Sequence, residues 1–393
     1  MRLLHGGAVA LVSVVLLVLI GWPNQTVTTV AGTAEPWDPL GRGTPAIDVL
    51  GSSPWYGELY GDVTVVPRGN HSRQGVSGVR LADGAESWVY ERRWADDMLE
   101  PIRVDDRHVA VPWRDGHVTL IDVPTGDIVW QTDLPDGPFA PENRTLDEEW
   151  PTAWELSVAR HGSTSALVVL HDGRVDVLDT RSGAIRWSRH SGTCPGAHGT
   201  EYPGVGSVKG AGTAVLISRG CEGTTGYVVA LSTEDGRPLW RFTERELNPL
   251  SSRDLGEGRF VSAADGGLVV RRTVDGKILW RARPADHYVE DYGVSVGLLT
   301  VPHESGITAY RVADGSVAWR RDVRDGGRPD VLTNGLVTYA TSTPRTLLKL
   351  DARTGRVIDR HRFDKDIELK SMDDDLVAIG FQEVGTGDDQ LIG

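Results

Sequence analysis

The sequence predicts an all-β chain, a ring of four-stranded antiparallel blades. Three observations carry that reading. A short unit of strands and turns recurs seven times, each copy ending in a glycine and, four residues on, a tryptophan. The ends are Gly84 to Trp88, Gly126 to Trp130, Gly183 to Trp187, Gly236 to Trp240, Gly276 to Trp280 and Gly315 to Trp319; a seventh, Gly355 to Asp359, has lost the indole. Successive ends lie 42, 57, 53, 40, 39 and 40 residues apart. A period near 40 residues built of strands and turns marks the blade of a β-propeller. Finally, 47 glycines punctuate short apolar runs along 393 residues, as all-β chains require.

The first element stands apart from the ring. Arg2 precedes an uncharged run, Gly6 to Trp22, 17 residues long. That length falls at the short end of membrane spans. The flanking arginine would keep the N-terminus inside and send the rest of the chain across. Two readings stay open: a signal anchor (residues 1–22) or a signal peptide cleaved near Ala31 or Ala34. The anchor is preferred because no small-residue site follows the run at once. The expected location is the cell membrane, single-pass with an extracytoplasmic domain, or, if cleaved, secretion. Residues 23–44 lack periodicity and are read as a flexible linker. Residues 45–393 are read as the propeller.

Within the ring, the Trp187 unit shows how each copy is read. Strands are expected near 155–159, 165–170, 174–179 and 184–189, with Val175, Val177 and Asp179 facing one way and Asp176 and Leu178 the other. Gly183 supplies the positive φ of the last hairpin. The indole on the outer strand plugs the gap to the next blade, a packing role for Trp88, Trp130, Trp187, Trp240, Trp280 and Trp319. Both ends hold spare strands: Ile367–Met372, Leu376–Phe381 and Gln390–Ile392 at one, Ala46–Leu50 at the other. Together they form an eighth blade that clasps the ring, so eight blades are preferred over seven.

Charge and cysteines bound the function. Forty-one basic against 55 acidic residues leave a net charge of −14. An acidic chain of this kind has no electrostatic reason to bind nucleic acid or an anionic membrane surface. Only five basic residues are lysine, which points to a GC-rich bacterial genome. Cys194 and Cys221 are the only cysteines, an even pair that an exported chain most simply joins as a disulfide. The competing reading is zinc, held by His190, Cys194, His198 and Cys221. Acidic runs such as Asp147-Glu148-Glu149 and Asp373-Asp374-Asp375 lack calcium-loop spacing and are read as solvated turns. No nucleophile elbow, phosphate loop or dinucleotide fingerprint occurs.

The repeat resembles the tryptophan-docking propeller of the pyrroloquinoline-quinone (PQQ) type. That family's motif runs roughly Ala-x-Asp-x-x-x-Gly-x-x-x-Trp. It is best kept from Leu120-Ile-Asp122 to Trp130 and from Val177-Leu-Asp179 to Trp187. Arg80, Ser232, Arg272 and Arg311 stand where the motif has its aspartate. The resemblance covers about residues 45–393. Dehydrogenases of the family are longer and carry adjacent cysteines, a Ca²⁺ site and a catalytic aspartate. None of these maps here residue by residue, so no catalytic, cofactor or metal residue is assigned and neither PQQ nor Ca²⁺ is expected. The resemblance is to the non-catalytic branch, BamB-like in size, and implies a monomeric module that binds envelope proteins. The alternative is a quinoprotein enzyme or ligand sensor using the central funnel.

Loop length locates the expected partner site. Connections from an outer strand to the next inner strand, and from second to third strand, emerge on one face. The long ones, 133–154, 190–204, 219–225 and 68–75, all belong to that class. Binding residues concentrate on loops held by a rigid scaffold. Phe139, Trp150, Trp154 and Tyr202 would supply contact area, with Glu148 and Glu149 as a polar rim. The competing reading is that these side chains only pack the loops onto the ring.

Overall fold

A computed structural model describes residues 25–28, 49–53, 58–135, 154–190, 205–219, 227–282, 292–323, 329–381 and 389–392, apart from gaps of one to four residues within those spans. It contains seven four-stranded antiparallel sheets and one of five strands. The first blade consists of Glu58–Tyr60, Val63–Asn70, Arg73–Arg80 and Glu86–Arg93. The third runs Glu155–His161, Thr164–His171, Arg174–Asp179 and Ile185–His190, within two residues of the sequence expectation. The clasp is present. Ile367–Asp373, Leu376–Phe381 and Asp389–Ile392 pair in order, and the N-terminal strand Val49–Ser53 adds antiparallel to the last. The inner strand of this eighth blade packs beside Glu58–Tyr60 of the first.

The second to seventh sheets are covered on both faces, and the burial pattern shows it. Third strands are buried almost end to end, as in His117–Ile121 and Gly306–Tyr310. Outer strands alternate, as in Ile128–Asp133. Seven hydrophobic clusters occur among the described residues, and each straddles two consecutive blades. One joins Tyr90 and Trp88 to Trp113 and Ile121, and the last joins Tyr339 to Ile367 and Ile379. The core is thus a set of interfaces between blades, not one central mass.

The glycine and the tryptophan are the two halves of one joint. Every one of the six indoles donates its Nε1–H to a backbone carbonyl of the following blade, at 2.6 to 3.2 Å: Trp88 to Val123, Trp130 to Thr180, Trp187 to Thr233, Trp240 to Thr273, Trp280 to Val312 and Trp319 to Ala352. The same indole lies flat on the next blade's turn glycine. A Cβ on Gly126 would sit 2.4 Å from Trp88, and Gly183, Gly236, Gly276, Gly315 and Gly355 are covered likewise. Those glycines also have φ between 65° and 75°. Glycine is therefore required twice, for conformation and for clearance. A bulge aims each indole. In the first seven blades the outer strand slips register by one residue just after the turn, as between Ile128 and Trp130. Gly84 in the first blade has nothing over it among the described residues.

Two expectations need correction. Among the described residues no helix is long and apolar enough to cross a membrane, so the expected transmembrane helix is not found; the run 6–22 lies outside the described residues. The stretch 23–44, read wholly as linker, contributes the strand Gln25–Thr28. It pairs antiparallel with Glu86–Arg93 and makes the first blade five-stranded. An outer strand with one free edge has unpaired backbone groups, and a short polar β-prone segment (QTVT) satisfies them.

Candidate functional site

The two faces of the ring differ. On one, every described turn is short and tightly bonded. The glycine N–H of each third-to-outer turn donates to the carbonyl four residues back, at 2.7 to 3.0 Å, from Gly84 to Arg80 through Gly355 to Asp351. Each turn also carries one carboxylate that accepts backbone N–H groups. In three blades it is the motif's aspartate: Asp122, Asp179 and Asp351 accept from Thr125, Ser182 and Thr354. In the other four it stands immediately before the glycine, where Asp83, Asp235, Asp275 and Asp314 accept from Ala85, Arg237, Lys277 and Ser316. The arginines that replace the motif's aspartate are used: Arg80 and Arg272 fork onto Asp83 and Asp275. The arginine hydrogen bond holds the Asp83 carboxyl below its ordinary value. Sequence reading saw only the loss of the aspartate; its displaced partner was visible as Asp-Gly in all four turns.

The opposite face bears the long connections. Phe139, Glu148, Glu149, Trp150 and Tyr202 lie outside the described residues. So do Cys194 and Cys221; no disulfide occurs among the described residues, and the expected bridge is withdrawn. Trp154 is described. It is partly buried, packs against the cluster between the second and third blades, and tilts onto the His171 ring at 5.0 Å.

The described strand ends on that face carry polar networks. In the third blade Asp176 is fully buried at the loop end of the sheet. His171 Nε2 donates to it at 2.5 Å, Arg174 Nε at 3.0 Å, and the Ser188 hydroxyl completes the set. Burial alone would raise the Asp176 carboxyl; the bonds from His171, Ser188 and Arg174 outweigh it and hold the carboxyl below its ordinary value. Asp176 and Leu178 do face opposite to Val175 and Val177, as alternation requires. That side is an interface here, so the carboxylate is enclosed and must be paired.

A second network joins the first two blades. Arg92, whose side chain is 3% exposed, forks onto Asp115 at 3.0 and 2.8 Å and stacks over Trp113, 4.9 Å from the ring centre. Tyr90 shares a hydrogen bond with Thr119 at 2.8 Å, and burial pushes its hydroxyl pKa up. His117 Nδ1 bonds Asp133 at 2.6 Å at the root of the 133–154 connection. These side chains anchor the strand ends from which the loops spring. Among the described residues no three His, Cys, Asp or Glu side chains are grouped to hold a metal ion.

The family model described as outer membrane protein assembly factor BamB matches residues 72–203 and 224–368. No curated protein matches the chain in sequence. Among solved structures, BamB from Moraxella catarrhalis is similar over 88% of this chain and 99% of that one, at 15% identity and a TM-score of 0.51. The computationally designed Ika8 protein is similar over 87% and 98%, at 14% identity and 0.55. The quinohemoprotein alcohol dehydrogenase from Comamonas testosteroni is similar over 88% of this chain and 76% of that one, at 11% identity and 0.50. At such identities the likeness is one of fold.

Proposed function

The chain belongs to the outer membrane protein assembly factor BamB family, and from that premise we propose that it is a binding or scaffolding propeller of the bacterial cell envelope. The observation that carries the reading is the asymmetry of the ring. One face is closed by seven near-identical braced turns. The long connections, between strands that end at 133, 190 and 282, leave from the other, where the described strand ends carry buried polar networks around Asp176 and Arg92. Rigid blades that present variable loops on one side are suited to holding a protein partner. The partner would be another envelope protein, and the module would act as a single copy.

A second reading has its own support: a propeller of similar outline serves a quinohemoprotein dehydrogenase. In that reading a quinone-type ligand would sit in the central funnel. Two pairs of charged residues on the inner strands are engaged with one another. Glu155 pairs with Lys209 at 2.7 Å across the third and fourth blades, and Lys370 pairs with Glu368 at 2.6 Å within the eighth. A titration of the purified protein with PQQ in the presence of Ca²⁺ separates the two readings. The scaffold predicts no saturable binding and no dye reduction with alcohols or sugars. Calcium-dependent binding with substrate-driven dye reduction would replace it by the enzyme.

A further inference from the structure

The sixth and seventh blades face each other across a cleft of about 730 Å³ that opens on the loop face. Its walls are cationic. The seventh blade's outer strand, Val357–Arg362, pairs Arg360 with Leu348 and Arg362 with Thr346. Leu348 packs in the cluster that holds Trp319 and Val323 of the sixth blade. Arg360 and Arg362 therefore stand on the side of their sheet that looks at the sixth blade. Arg321, two residues after Trp319 on the strand Val317–Asp322, shares that indole's side and looks back. Three guanidinium groups from two facing sheets thus line one cavity.

Little in the cleft neutralises them. Arg345, at the rim, is paired with Asp366 at 2.7 Å. Arg321 donates to the Gly355 carbonyl at 3.2 Å, a neutral acceptor. Among the described residues of the lining Asp322 is the one other carboxylate, so those residues carry two surplus positive charges in a chain of net charge −14. Arg360 and Arg362 are exposed, and their guanidinium groups have no bonded partner among the described residues. The rim is braced. Phe363 N–H donates to the Arg345 carbonyl at 2.8 Å and Ile367 N–H to that of Pro344 at 2.6 Å, so the turn 343–346 is tied to the crossing into the eighth blade.

We propose that this cleft binds a small molecule bearing two anionic groups, carboxylate or phosphate. Arginine forks match the planar oxygens of either group. Buried Leu348 and Val323 form an apolar floor, which lowers the local dielectric and strengthens the attraction. The volume falls in the range of small-molecule sites, roughly 300–1,000 Å³. A single phosphate would leave most of the cavity empty, so the ligand spans two cationic positions.

Calorimetric titration of the folded protein with citrate and with pyrophosphate, in low-salt buffer, tests this. At least one probe binds saturably, and Arg360→Gln with Arg362→Gln weakens it by about tenfold or more, as loss of charge-assisted bonds requires. Arg353→Gln, an exposed arginine of the opposite face, leaves it unchanged. Tighter citrate binding assigns a polycarboxylate ligand and tighter pyrophosphate binding a phosphorylated one. Each single variant is measured as well, so a misfolded double variant leaves the test intact. Binding of neither probe, or affinity that survives Arg360→Gln and Arg362→Gln within about twofold, overturns the proposal.

Discussion

Replacing Trp88 by alanine is expected to destabilise the propeller by about 3–5 kcal/mol, the usual loss for a buried aromatic side chain. Trp88 is 1% exposed, bonds the Val123 carbonyl at 2.6 Å and covers Gly126, so it closes the joint between the first and second blades. The complementary change, Gly126→Ala, is expected to cost about 1–3 kcal/mol from overpacking alone. The positive φ of 75° adds strain that alanine relieves poorly. Gly84→Asn is the control. Gly84 occupies the same place in its turn with φ 66°, but no described atom lies within 4 Å of its would-be Cβ, and asparagine tolerates that conformation. Trp187→Ala should cost less than Trp88→Ala, since its ring is only partly buried. Urea melts of the four variants give the order. Equal losses at Gly84 and Gly126 would contradict the docking role.

Asp176→Ala is expected to cost about as much, 3–5 kcal/mol, for a different reason. It leaves His171 Nε2 and the Arg174 guanidinium without the acceptor both share in a closed interface. Ser188→Ala removes one contributing bond and should cost about 1 kcal/mol. The acid dependence has a fixed sign. The folded carboxyl is held below its ordinary value, so its contribution is present above the unfolded value of about 3.9 and fades as pH falls through the folded one. Denaturant melts of native protein and Asp176→Ala should therefore differ most at neutral pH and converge in acid. A gap that widens below about pH 4 would mean that Asp176 is protonated in the fold.

Much of this was legible in the sequence because one period served two purposes. The glycine and tryptophan that repeat near every 40 residues are the contacting halves of consecutive blades, so counting them also located the joints. The leftover strands at both termini were legible for a related reason: a ring has no free ends, so strands without a partner in their own unit must pair with each other. The strand Gln25–Thr28 was hidden, since four polar and β-branched residues carry no periodicity of their own. The polar set around Asp176 was half visible. Alternation placed Asp176 opposite Val177, but only the register that pairs it with Ser188 shows the carboxylate enclosed. The cationic cleft was invisible, because Arg321 and Arg360 are separated by a whole blade in sequence and meet only when two sheets face each other. The partner residues proposed on the 133–154 connection rest on loop length, which reports where variation is tolerated and not what binds.

The loop face carries the functional reading, and one measurement bears on it most directly. Residues 137–151 would be replaced by a short Gly-Ser linker, which spares Asp133, the buried Leu134 and the packed Trp154 that secure the strand ends. Native and altered proteins would then be used to capture partners from detergent-solubilised envelopes, with urea melts to confirm an intact ring. The account predicts that the altered protein melts like the native one and loses the envelope protein that the native one retains. Retention of every partner by an intact ring without that loop would contradict it.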